Sequence, residues 1–173
     1  MNTLEQKPLI SVITVVLNRA ETIGLAINSV RSQTYNNIEY LIQDGGSIDG
    51  TIQIIETLAP EANFESKPDG GLYEAINTAI ARADGDIIGL MHSDDQFASP
   101  DILEHVEEIF RDQDVDGIYG DLNYVSSDLS RKAIRKWTAG TFSMKKLARG
   151  WMPPHPTLYL RKSVFTQLGG YRS

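Results

Sequence analysis

The chain has 173 residues, of which 41% are hydrophobic and 23% charged, enough for one domain with a sizeable core. A formal net charge of -7 argues against a nucleic-acid binder, and the absence of cysteine excludes disulfide frameworks and thiolate metal sites. The opening MNTLEQKPL lacks the basic start and apolar stretch of a signal peptide, and no apolar run approaches the roughly 20 residues that span a bilayer. These features read as cytoplasmic, with any membrane contact peripheral.

Leu9–Leu17 is rich in β-branched residues and reads as a central parallel strand buried on both faces. Asn18 and Glu21 follow with capping-box spacing, and Ile23, Ile27 and Val30 recur at helical spacing. Ile38–Gln43 reads as the second strand, with Asp44 at its end. In the loop GGSIDGT, Asp49 can cap a helix carrying Ile52, Ile55 and Leu58. Asn63–Ser66 reads as a short third strand, and Lys67–Gly71 as a turn. Leu72, Ile76, Ala79 and Ile80 form the apolar stripe of a third helix, with Tyr73 and Asn77 on its flank. Ile87–Asp95 is an apolar run that ends in the adjacent carboxylates Asp94 and Asp95. Ser99 and Pro100 then suit the cap and first residue of a fourth helix that buries Leu103, Val106, Ile109 and Phe110. This alternation predicts an α/β fold with a mostly parallel, Rossmann-like sheet and helices on both faces.

Beyond Asp112 the pattern changes. Val115–Tyr119, Leu122–Val125 and Ala133–Trp137 read as strands, with a turn at Ser126–Asp128, so a small antiparallel addition is expected. Phe142–Arg149 reads as helical, WMPPHPT as irregular, Leu158–Leu160 as extended and Ser163–Leu168 as a short helix. The expectation is one domain over residues 1–173, cut short at its C-terminal end, with a ligand-binding half at 1–112 and a second half at 113–173.

Asp44, Asp94 and Asp95 fall at the ends of the second and fourth strands, so one sheet edge gathers them. Adjacent carboxylates repel and usually persist because a cation or ligand neutralises them. Such a cluster suits a nucleotide diphosphate and its metal, since carboxylates accept from ribose hydroxyls and coordinate hard cations. Solvated loop and capping residues are the plainer alternative.

PLISVITVVLNRAETIGLAINSVRSQTYNNIEYLIQDGGSIDGT resembles the opening of family-2 glycosyltransferases, and KPDGGLYEAINTAIARADGDIIGLMHSDD continues the likeness through a terminal DD. The resemblance implies a GT-A type fold and inverting sugar transfer from a UDP- or GDP-sugar donor to an acceptor hydroxyl. It implies a base contact at Asp44, a ribose or sugar contact at Asp94, and Mn²⁺ or Mg²⁺ at Asp95. It places the backbone of Val15 and Leu17 along the nucleotide pocket, with Asn18 and Glu21 beside it. Tyr73 and Asn77 could line the sugar pocket, and His155, in PPHPT, matches a segment beneath the acceptor side. The implied acceptor is a saccharide or lipid-linked glycan, in polysaccharide or glycolipid synthesis. His92 replaces the first acid of the family's D-x-D, and Ile76 stands where many relatives carry Arg. The general base that takes the acceptor proton is expected beyond Ser173, so a non-catalytic nucleotide-sugar-binding module is the main rival. A nucleotidyltransferase is disfavoured because VVLNRAET stands where a glycine-rich, basic loop belongs. No G-x-G-x-x-G follows a strand, which disfavours a dehydrogenase.

Overall fold

The computed structural model describes residues 7–126 and 132–172. Arg131 and residues 127 and 128 of the expected turn lie outside them. The strands are β1 (Ile10–Val16), β2 (Ile38–Asp44), β3 (Asn63–Ser66), β4 (Ile87–Leu90), β5 (Gly117–Ile118), β6 (Leu122–Val125), β7 (Ala133–Trp137) and β8 (Tyr159–Arg161). The helices are α1 (Ile23–Arg31), α2 (Thr51–Leu58), α3 (Leu72–Arg82), α4 (Ile102–Phe110), α5 (Met144–Leu147) and α6 (Lys162–Leu168), with a 3-10 turn at His155–Thr157.

A six-stranded sheet runs in the order β3-β2-β1-β4-β8-β5. The first four strands are parallel, and β8 runs antiparallel to both β4 and β5. Every residue of β1 is buried, as a strand covered on both faces requires. Alternation divides its side chains: Ile10, Val12 and Val16 join a core with α1, α2 and α4, while Ile13 and Val15 join a second core with α3. The polar members are satisfied in place. Thr14 bonds the Tyr40 hydroxyl at 3.0 Å, and the Ser11 hydroxyl donates to Glu39 at 2.5 Å.

Several boundaries differ from expectation. Asn18 does not cap α1. The chain first makes a turn in which the N–H of Ile23 donates to the Arg19 carbonyl (2.9 Å), and Asn18 takes the left-handed conformation (φ 52) that asparagine tolerates. The Asn18–Glu21 capping box is therefore absent, and α1 begins at Ile23 after Thr22. Ser99 and Pro100 precede α4 by two residues because their carbonyls are used elsewhere. The Gln33 amide donates to Ser99 O at 2.9 Å and the Thr34 N–H to Pro100 O at 2.8 Å. Asp49 does support α2, accepting from the Thr51 N–H at 3.1 Å, with Gly50 intervening. Leu72 and Ile109 are exposed instead of core-facing, and the Phe142–Arg149 helix shrinks to α5.

The antiparallel addition has two parts. β6 and β7 form a separate hairpin, whereas β8 inserts between β4 and β5 in the main sheet. Gly89 permits this insertion, since a Cβ there would collide with the Tyr159 ring of β8. Gly89→Ala should cost about 1–3 kcal/mol through overpacking, read as a lower midpoint in urea denaturation. A Tyr159→Leu background should recover part of that loss.

Candidate functional site

The order β3-β2-β1-β4 means that the chain leaves β1 first toward β2 and β3, then returns to its other side as β4. The reversal lies between β1 and β4, and open α/β sheets bind ligands outside the carboxyl ends at such a point. Here the loops after β1 (Leu17, Asn18) and β4 (Met91 to Asp95) flank it, with the β2 loop alongside.

Asp44 closes the base of that edge. It is 0% exposed and accepts four hydrogen bonds: Gly46 N–H (2.9 Å), Ser47 N–H (2.8 Å), Ser47 hydroxyl (2.5 Å) and Ser66 hydroxyl (2.7 Å). Ser47 in turn accepts from the Asn18 N–H at 2.7 Å, and the Asn18 side-chain oxygen accepts from Ile48 N–H at 2.9 Å. This carboxylate thus joins the ends of β1, β2 and β3. Through these bonds Asp44 holds its own loop in shape.

A different acid stands at the surface of this floor. A Cβ on Gly45 would lie 3.0 Å from Asp69 Oδ2 and 3.5 Å from Leu17 Cδ1. Leu17, Gly45 and Asp69 therefore converge, and the missing side chain at Gly45 leaves the space that Asp69 borders. Asp69 Oδ1 accepts from Gly71 N–H at 2.8 Å, which fixes the carboxylate on its turn. The sequence reading took PDGG only as a turn; the acid within a turn leading from a strand end to a helix was the available signal.

On the other flank, β4 ends at Leu90, and Met91 continues alongside β1 through an N–H bond to Ile13 O (2.9 Å). A turn follows, closed by Asp95 N–H to His92 O at 3.0 Å, leaving Asp94 exposed and Asp95 half-buried. The His92 and His155 rings lie 5.6 Å apart. His155 also meets Tyr171 edge-on at 5.4 Å, and Tyr171 stacks on Tyr73 at 6.0 Å. The structure thus brings His92, His155 and Tyr73 into one chain of rings through Tyr171, which the sequence reading did not single out. Asn77 fastens the same residue: its amide donates to Tyr171 O and accepts from Tyr171 N–H, both at 2.8 Å. Val15 is buried beneath the edge, and Glu21 is exposed beyond it. Asp121 accepts from Ala139 N–H at 3.0 Å and fastens a loop, while Trp151 packs edge-on between Tyr119 and Phe142.

Among the described residues no three His, Asp or Glu side chains converge to hold a metal. Asp94 and Asp95 supply hard oxygens on adjacent residues, a donor set that suits a cation also ligated by phosphate.

Comparison with known proteins gives the fold and the family. The mannosyltransferase PcManGT from Pyrobaculum calidifontis, solved with GDP-Man and Mn²⁺, superposes with a TM-score of 0.75 at 17% identity, over 97% of this chain and 48% of that one. S. aureus TarS 1–349 with UDP-GlcNAc gives 0.69 at 19% identity, over 92% and 47%. The fold is that of the GT-A glycosyltransferases. Residues 11–166 match the family model described as Glycosyl transferase family 2, and the chain belongs to that family. An uncharacterized glycosyltransferase of Mycobacterium tuberculosis is 34% identical over 170 residues, 95% of this chain and 63% of the relative. A PGL/p-HBAD biosynthesis glycosyltransferase of Mycobacterium bovis is 27% identical over 169 residues, with the same coverage. The chain spans about 63% of the length of these relatives.

Two outcomes follow from the site's geometry. Asp44→Ala strands two N–H and two hydroxyl donors around a buried position, two of them in part-buried bonds, so unfolding free energy should fall by about 2–4 kcal/mol in urea titration, with Asp44→Asn milder. Burial, and then the neighbouring His92, hold the His155 imidazole below its ordinary pKa. Below that ordinary value, about 6.5, the unfolded chain takes a proton that the fold resists, so this contribution to stability is lost as pH falls. The difference in melting temperature between wild type and His155→Asn should therefore shift toward the variant between about pH 7 and pH 5.

Proposed function

We propose that this chain forms the donor-binding part of an inverting glycosyltransferase that moves a sugar from a nucleoside diphosphate sugar to an acceptor hydroxyl. The observation that carries this reading is the β1/β4 switch point, flanked by Leu17, Gly45 and Asp69 on one side and by Asp94 and Asp95 on the other. Family membership and neighbours solved with GDP-Man and UDP-GlcNAc support a nucleotide-sugar donor.

In this reading Leu17 and the backbone at Val15 provide an apolar wall for the base, and Gly45 lets it approach the floor. Asp69, fixed by Gly71, accepts from a base N–H or a ribose hydroxyl. Asn18 and Asp44 keep the loop in shape, with Glu21 at the outer rim. Asp94 accepts from the ribose or the donor sugar, and Asp95 is the protein ligand of Mn²⁺ or Mg²⁺. A cation held there with the diphosphate oxygens would offset the negative charge of the leaving group. The acceptor oxygen forms its bond to the anomeric carbon as the bond to the diphosphate breaks on the opposite face, inverting the centre. The acceptor proton passes to a general base. His155, Tyr73 and Asn77, tied together by Tyr171, shape the sugar and acceptor side. The relative named for PGL/p-HBAD biosynthesis supports a saccharide or lipid-linked acceptor in polysaccharide or glycolipid synthesis.

Calorimetric titration with UDP and with GDP, each with and without Mn²⁺, tests the assignment. At least one nucleotide should bind in a metal-dependent manner. Asp95→Ala should weaken binding at least about tenfold and remove its metal dependence, whereas Asp69→Ala should weaken it and leave that dependence intact. Absent or metal-independent binding by folded protein would reject the site.

A further inference from the structure

Charge is segregated along this chain. None of its 23 Asp and Glu lies beyond Asp128, whereas ten of its 16 Lys and Arg do. Within that basic part, residues 141–152 fold on themselves around Trp151. The Lys146 ammonium donates to Thr141 O at 2.9 Å and sits 5.9 Å from the centre of the Trp151 ring, while Trp151 N–H donates to Lys146 O at 3.1 Å. Phe142 meets the Trp151 ring edge-on at 6.2 Å. With Trp151 as its interior, the loop turns its other apolar side chains to solvent: Met144 is 69% exposed, Met152 67%, Phe142 49% and Leu147 40%. Lys145 and Arg149 are exposed among them, and neither pairs with a carboxylate among the described residues.

Four large apolar side chains stand exposed on this one loop, and clustered exposed apolar surface commonly marks an interaction site. Cations interspersed with apolar side chains match the interface of an anionic bilayer. The apolar groups enter the acyl boundary while the cations remain among the headgroup phosphates. A polyanion in water would satisfy Lys145 and Arg149 yet leave Met144 and Met152 exposed, so the bilayer fits the whole surface better. We infer that the 141–152 loop docks this protein peripherally on an anionic lipid surface. Met152 lies three residues before His155, whose ring meets His92 after β4, so docking would bring the candidate cleft near the headgroups. The link to a lipid-linked acceptor rests on the sugar-transfer reading; the docking itself needs no donor.

The test is co-flotation of the chain with vesicles of phosphatidylglycerol and phosphatidylcholine, against vesicles of phosphatidylcholine alone. The chain should float with the anionic vesicles only, and high salt should reduce binding. Lys145→Glu/Arg149→Glu should lower vesicle affinity at least about tenfold, and Met144→Ser/Met152→Ser about fivefold or more. Both pairs should retain the wild-type melting temperature and nucleotide affinity, which separates failure of docking from failure of the donor site. Three results would overturn the inference. One is no flotation by folded protein. Another is flotation unchanged in the methionine pair with equal affinity for a single-stranded oligonucleotide, which would mark a polyanion site. The third is self-association abolished by the methionine pair without vesicle binding, which would assign the surface to a second copy.

Discussion

The Asp44 carboxylate is the interaction on which the candidate site depends. Burying a charge is costly unless donors replace its water, and here four donors do so from Gly46, Ser47 and Ser66. Each donor fixes a piece of backbone. Ser47 carries the constraint to Asn18 and the end of β1, and Ser66 carries it to the end of β3. Gly46 accepts a positive φ of 91 beside Pro68, which presses the β2 loop against the turn that bears Asp69. A fully buried residue thereby sets the relative positions of Leu17, Gly45 and Asp69.

The sheet explains why this reinforcement sits at one edge. β1 is enclosed on both faces and paired on both sides, so it has no freedom to adjust. Parallel neighbours must all emit their loops at the same end, and the reversal from β2 to β4 opens a crevice there. The antiparallel β8 seals the far side of β4, and Tyr159 occupies the space that Gly89 leaves. Through His155, that later segment is also brought back against His92.

Much of this was legible in the sequence, for a physical reason. Unbroken β-branched runs and clear 3.6-residue stripes mark β1, β2 and the four larger helices, and β3, β6 and β7 fall on their expected residues. What failed was decided by contacts distant in sequence. Asn18 has the composition of a cap, yet Ser47 and Ile48 claim it from 29 and 30 residues away. Ser99 and Pro100 lose their places in α4 to Gln33 and Thr34. At Asp44 three of the four donors come from Gly46 and Ser47, two and three residues on, and only Ser66, 22 residues on, is distant. Asp69 and Tyr171 went unnoticed because their neighbours in the site, Gly45 and Leu17 for one, Tyr73 and His155 for the other, come from separate parts of the chain.

The character of the assembled edge bears on how it could hold an anion. Of the groups placed there, Asp69, Asp94 and Asp95 are acidic and Leu17 and Gly45 uncharged, with the His92 and His155 rings on the β4 flank. Just ahead of α3, the Gly71 N–H donates to Asp69 and the Gly70 N–H to Glu74. A diphosphate approaching Asp69, Asp94 and Asp95 meets charge of its own sign. In the proposed reading a counter-cation arriving with it and held at Asp95 would offset that repulsion. In such an arrangement affinity for nucleotide and affinity for metal are linked quantities, each raising the other by the same factor. In the proposed reading the acidic edge would favour the metal complex over a bare phosphate anion.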